Sequence, residues 1–227
     1  MLAGWFVFGP SIWILLPALA LALYAQWRVR STYGRYSRVE SARGLTASQV
    51  ASQILQGESI FDVTVEQTDR ALGDHYDPRK RVLRLSGAGS SSIAAIGVAA
   101  HEAGHAIQHA RGFAPLAFRT AIVPVARFGS QLAFPLFFVG LIFRYEPLVT
   151  VGILLFSAAV LFTLVTLPVE FDASRRAVAA LRTTGFVNAE ELGAVKEVLF
   201  AAALTYVAAA AMAALQLLLL LSAGRRR

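Results

Sequence analysis

The sequence predicts a mainly α-helical integral membrane protein, with four transmembrane helices and a small α+β part on the cytoplasmic side. Three observations lead there. The 227 residues are 56% hydrophobic and only 15% charged, whereas soluble domains carry about 25% charged residues. The apolar residues gather in four runs, about 4–26, 122–143, 148–168 and 198–222, each close to the ~20 residues that cross a bilayer. Of the 21 basic residues, 17 fall in the segments 28–127 and 170–197, which share one side of the membrane if all four runs span it. The net charge of +7 would otherwise suggest nucleic acid, but basic residues that flank apolar runs are interface anchors, so no nucleic-acid partner is expected. The absence of cysteine excludes disulfides and thiolate ligands. The whole chain, 1–227, reads as one domain, with extramembrane segments of about 28–121 and 169–197.

The first span runs from Gly4 to Gln26, with Trp5, Trp13, Tyr24 and Trp27 along it. Ala18-Leu19-Ala20 resembles a signal-peptide cleavage site, but the basic start and short apolar core of a signal peptide are missing, so a retained helix is expected. Arg28, Arg30, Arg35, Arg38 and Arg43 follow and mark this flank as cytoplasmic, with the N-terminus outside. Thr46 to Gln56 reads as an amphipathic helix capped by Thr46, with Val50, Ile54 and Leu55 on its apolar face. Phe61 to Val65 and Arg81 to Leu85 alternate as strands do, and are expected to form a short β-hairpin. Asp74 to Pro78 is turn-forming. Gly87 to Ser92 reads as a loop, with Ser91 or Ser92 as the cap of the next helix.

That helix, Ile93 to about Ala110, carries His101-Glu102-Ala103-Gly104-His105. Three of the chain's four histidines lie between positions 101 and 109. On a helix, His101 and His105 share one face, ~40° apart around the axis. Two imidazoles so placed grip one zinc ion, with Glu102 beside them as a base. Ala99, Ala100, Ala103 and Gly104 permit close approach of a neighbouring element. The runs 122–143 and 148–168 read as a transmembrane hairpin joined by Arg144-Tyr145-Glu146-Pro147. Glu170 to about Arg182 reads as a helix ended near Gly185. Asn188-Ala189-Glu190-Glu191 resembles a capping box for a further short helix, and 198–222 is the last span.

A catalytic zinc takes three protein ligands and leaves one position for water. The candidates for the third are His109, His75, Glu66, Glu170 and Asp172. His109 lies ~12 Å along the axis from His101, too far to join the same ion easily. Glu170 is favoured, because two spans separate it from the motif and both then emerge on one face. A carboxylate at a span end is also costly unless it is paired or metal-bound. Asp172 is rotated ~200° from Glu170 and is expected to pair Arg175 or Arg176, or to orient a ligand histidine.

With these residues in place the chain resembles the YugP-type bacterial membrane zinc metallopeptidases. The resemblance rests on Asp74-His75-Tyr76-Asp77-Pro78-Arg79, on Ala99 to Gln108 around the histidine motif, and on Leu167-Pro168-Val169-Glu170-Phe171-Asp172-Ala173-Ser174, and it covers nearly the whole chain. It implies a zincin-like cytoplasmic part and a multi-pass enzyme of the cell membrane, with its active site facing the cytoplasm. It also implies a zinc (Zn2+) cofactor held by His101, His105 and Glu170, and a polypeptide substrate, which includes membrane proteins given the placement at the bilayer. The activity implied is endopeptidase hydrolysis through a metal-activated water, with Glu102 as general base. The chain looks more broadly like the integral-membrane proteases that include HtpX. In those an E-x-x-x-D pattern begins at the third ligand and its Asp supports the site, whereas here the fourth position after Glu170 is Ser174. Two other classes remain as alternatives. A zinc-stabilised, non-catalytic membrane scaffold or regulator would have its fourth coordination position closed. A pore or transporter would need ionisable residues inside the spans, and the spans hold almost none.

Overall fold

The computed structural model describes residues 13–70 and 73–225. The start of the expected first span, residues 4–12, lies outside them. A short 3₁₀ turn at 13–15 leads into α1 (Leu16–Tyr36). There follow α2 (Ala47–Gly57), β1 (Thr64–Gln67), β2 (His75–Asp77), β3 (Val82–Leu85), α3 (Ile93–Ala110), α4 (Ala114–Ile142), α5 (Glu146–Thr184) and α6 (Ala189–Arg225). Among the described residues three helices, α4, α5 and α6, are long and apolar enough to cross a membrane. The chain divides into two compact units: Gln26–Ala117 with Pro168–Leu204, and Met1–Ala25 with Phe118–Leu167 and Thr205–Arg227.

The first of these units is built on α2, α3 and the sheet. Thr46 caps α2 through a reciprocal pair: Gln49 N–H donates to Thr46 Oγ1 at 3.3 Å, and Thr46 N–H donates to Gln49 Oε1 at 2.9 Å. Each bond satisfies a donor that the helix leaves orphaned. Val50, Ile54 and Leu55 are buried against Ile93, Ile96, Ala99 and Ala100 of α3 and Leu83 and Leu85 of β3. Ser92 caps α3, its Oγ accepting from Ala95 N–H at 3.3 Å.

The sheet departs from the expected pair of strands. It has three, in the order β1-β3-β2. β1 runs parallel to β3, with Thr64 opposite Val82, so these two segments form no hairpin. The hairpin is instead β2 with β3, which are antiparallel. Asp74 to Pro78, expected as a turn, holds strand β2. The reason is the Asp77 side chain, whose Oδ1 accepts from the N–H groups of Arg79 and Lys80 at 3.0 and 3.2 Å. That clamp pushes the reversal past Pro78, to Arg81 at φ 53°. β1 begins at Thr64 rather than Phe61. Phe61 stays exposed, and the Asp62 carboxylate is drawn to the Arg81 guanidinium.

Two expected helix breaks are absent. The span 148–168 and the helix from Glu170 are one element, α5, with Pro168 inside it. Proline removes a single i→i−4 bond, and long apolar helices absorb that loss; Gly185, at φ 61°, ends the element. The capping box at Asn188 is present: Glu191 N–H donates to Asn188 Oδ1 at 2.9 Å and Asn188 N–H to Glu191 Oε2 at 2.7 Å. The helix it starts is not short, because α6 runs on without a break through the last apolar run.

The second unit is mostly the α4–α5 hairpin with the end of α6. Ala133, Phe137, Leu141, Val149, Phe156, Val160, Leu220 and Ala223 form its core. Its helices meet at glycines. A methyl on Gly152 would lie 2.8 Å from the Ala133 carbonyl oxygen, and one on Gly129 2.8 Å from that of Leu155. Small residues of this kind let helix backbones approach closely where lipid offers no hydrophobic drive.

Candidate metal centre

The site begins with the packing of two helix backbones. A methyl on Gly104 would fall 2.4 Å from the Ala173 carbonyl oxygen and 3.2 Å from Ala173 Cα. The second variable residue of the histidine motif is therefore the point where α3 lies directly against α5. Ala99, Ala100, Ala103, Ala173 and Ala177 are all fully buried around it. This contact brings the motif face of α3 onto Glu170.

His101, His105 and Glu170 each offer a ligand atom, and these atoms lie within 4.8 Å of one another. His101 Nε2 is 3.1 Å and His105 Nε2 3.7 Å from the same Glu170 oxygen, Oε2. The two rings stand edge to face, centroids 4.7 Å apart. Glu170 is almost wholly buried, while both imidazoles keep a little exposure. Glu102 is buried on α3 next to His101.

The outer nitrogens of both rings are held. Gln108, fully buried on α3, sends its amide Nε2 to the Val169 carbonyl at 2.7 Å and to Asp172 Oδ2 at 3.0 Å. Both are pure acceptors, so the amide must present its NH2 to them. Its Oε1 then faces His105 Nδ1 at 3.0 Å, and Nδ1 must carry the proton. That fixes the tautomer and leaves Nε2 with its lone pair toward Glu170. Asp172 is anchored in turn by Arg175 and Arg176, so the expected carboxylate–arginine pair is present and reaches His105 through Gln108. On the other ring, His101 Nδ1 lies 3.1 Å from Ser174 Oγ. Ser174, the residue that departs from E-x-x-x-D, therefore stands at the outer nitrogen of a motif histidine.

The donor set fits a zinc ion. Two imidazole nitrogens and a carboxylate oxygen converge with their outer atoms hydrogen-bonded, which is the second shell such sites use to aim ligands. Burial draws the His105 pKa down, but the negative charges of Glu102 and Glu170 outweigh it, and the net shift is upward. The field that favours a proton there favours any cation.

The other ligand candidates are engaged elsewhere. His109 Nδ1 meets the Tyr76 hydroxyl at 2.8 Å, a phenol that burial and then the Asp77 charge push up to about 12. His75 Nδ1–H donates to the Gly73 carbonyl at 2.7 Å, and Arg84 N–H donates to His75 Nε2 at 3.4 Å. Glu66 pairs with Arg84 at 3.2 Å. Sequence reasoning assigned Gln108 no role, although one signal was present. It lies three residues after His105 and seven after His101, a polar group on the helix face that carries both histidines.

A Gln108→Leu variant is expected to keep its fold and bind zinc about 10- to 100-fold more weakly, the usual cost of losing an outer partner. A chelator competition titration measures it, and unchanged affinity would remove Gln108 from the site.

The chain belongs to the family described as "Putative neutral zinc metallopeptidase", which it matches over residues 11–225. Among its relatives is the "Putative membrane protease YugP" of Bacillus subtilis (strain 168), 46% identical over 209 residues, or 91% of this chain and 93% of that protein. No solved structure matches.

Proposed function

We propose that the protein is a zinc-dependent endopeptidase of the cell membrane. In this reading it crosses the bilayer four times, and a zincin-like site on the cytoplasmic side hydrolyses polypeptides, including membrane proteins. The observation that carries the proposal is the convergence of His101 Nε2, His105 Nε2 and Glu170 Oε2 one residue from a buried carboxylate, Glu102. Family membership supports the same chemistry.

His101, His105 and Glu170 would hold the metal, three protein ligands of the kind found in sites that keep a position open. Zinc bound there supplies Lewis acidity toward a water and toward the scissile carbonyl. Glu102 takes the proton of the attacking water on a carboxylate oxygen and later gives it to the leaving amine. Gln108 keeps the His105 proton on Nδ1, and the Ser174 hydroxyl can accept from His101 Nδ1–H when His101 Nε2 faces the metal. The buried alanines of α3 and α5 exclude bulk water from the inner side of the site and so strengthen these electrostatic interactions.

The test is cleavage of a membrane polypeptide by the purified protein in vesicles. Removal of metal by a chelator is expected to stop cleavage, and added zinc to restore it. Cleavage that persists in the metal-free protein would defeat the proposal.

A further inference from the structure

A second candidate site lies in the unit built on the α4–α5 hairpin, and none of its lining residues belongs to the metal centre. A cavity of about 660 Å³ is lined by Arg144, Glu146, Val149, Ile153, Leu221 and Arg225, where the α4–α5 connection meets the end of α6. Its volume falls in the ~300–1,000 Å³ range of ordinary ligand sites. Gly224 keeps it open: even a methyl there would lie 3.3 Å from Ile153 Cδ1 and 3.6 Å from Val149 Cγ1. One wall is apolar. The polar residues carry two positive charges and one negative, a net charge of +1.

The cavity sits at the ends of helices long and apolar enough to cross a membrane. Beside it Ile142, Phe143 and Tyr145 project outward, 74%, 75% and 55% exposed. A bulky apolar and aromatic collar of this kind belongs at the headgroup level. A pocket there meets molecules with a polar head and acyl chains. Two guanidiniums suit a phosphodiester, which they bind through paired N–H donors. The net charge of +1 matches one phosphodiester whose headgroup is otherwise neutral. The apolar wall takes the start of an acyl chain, and Glu146 is placed to accept from a headgroup hydroxyl.

We propose that this cavity binds an anionic glycerophospholipid of the phosphatidylglycerol type, with its phosphate between Arg144 and Arg225. It is a lipid site and stands whether or not the metal centre hydrolyses peptides.

Native mass spectrometry of the full chain in non-ionic detergent tests it. The probes are phosphatidylglycerol, phosphatidylethanolamine and inorganic phosphate. The proteins are wild type, Arg144→Gln/Arg225→Gln and Gly224→Leu, the last of which fills the cavity and keeps both arginines. Wild type is expected to retain phosphatidylglycerol in preference to phosphatidylethanolamine, and millimolar phosphate is expected not to displace it. The double variant should bind it roughly 25-fold more weakly, about fivefold for each arginine. Gly224→Leu should bind weakly as well, with zinc content and thermal midpoint in the wild-type range. Equal retention by wild type and by either variant would overturn the proposal. Equal binding of the two lipids, or displacement by free phosphate, would overturn it too.

Discussion

A Glu102→Gln variant is expected to lose at least 100-fold, and up to about 10,000-fold, of its peptidase rate, the range that a positioned acid–base group supplies, while keeping a full equivalent of zinc. The substitution changes one oxygen to an amide nitrogen and leaves volume nearly unchanged, so the packing around this buried position has little reason to move. Glutamine cannot accept the proton of the attacking water or return it to the leaving amine. The ligand set of His101, His105 and Glu170 is untouched, which is why metal and activity should separate. Single-turnover cleavage rates beside metal analysis on the same preparation measure both. A variant that cleaves at the wild-type rate would mean that Glu102 is no base and would favour a scaffold reading.

The second large effect is steric. A methyl at Gly104 would begin 2.4 Å from the Ala173 carbonyl oxygen. Ordinary contact begins at 3.4 Å, so Gly104→Ala must drive α3 and α5 apart by about 1 Å, and neither backbone has a rotamer with which to escape. Overpacking of this kind costs about 1–3 kcal/mol of stability. Displacing a reacting group by ~1 Å costs about 100-fold in rate, and the same motion pulls His101 and His105 away from Glu170, so zinc affinity should fall as well. Gly97→Ala on the same helix is the control, because its methyl would meet Val195 Cγ1 at 3.4 Å, an ordinary contact. Thermal melting, zinc titration and cleavage rates of the two variants are the measurements. If Gly104→Ala matched Gly97→Ala in all three, the helix contact would not set the site.

Much of the local structure could be read from the residues themselves. The motif helix runs from Ile93 to Ala110, because Ser92 caps it and the apolar run that follows contains nothing that breaks it. The Thr46 cap and the buried face of α2 follow from side chains three and four residues apart, and the structure adds the return bond from Thr46 N–H to Gln49. What failed were places where two signals compete. Asp74 to Pro78 has turn-forming composition, yet the hydrogen bonds of Asp77 move the turn beyond it. Pro168 has the composition of a helix boundary, yet one lost hydrogen bond does not stop a helix apolar on one side and packed on the other. Parallel pairing of β1 with β3 leaves no local trace, since it depends on where the chain returns.

At the site, the spacing of His101 and His105 was legible because it is local. The position of Glu170, 65 residues beyond His105 in number, was argued from membrane parity, and the physical cause is the Gly104–Ala173 contact, which no periodicity reveals. Gln108 and Ser174 were silent for a different reason. Each acts through a single hydrogen bond to a ring nitrogen, and such a bond exists only once the helices have met. The departure at Ser174 from an E-x-x-x-D pattern reads differently in three dimensions: its hydroxyl sits at the outer nitrogen of His101, and a carboxylate still supports His105, from Asp172 by way of Gln108.

The most direct test is the zinc content of wild type and Glu170→Ala, purified side by side at neutral pH and dialysed against a weak chelator. The account predicts one zinc per chain in wild type and less than about a tenth of that in the variant, since loss of one of three protein ligands leaves two imidazoles to hold the ion alone. Equal zinc in the two proteins would contradict it, because the metal would then sit somewhere other than between α3 and α5.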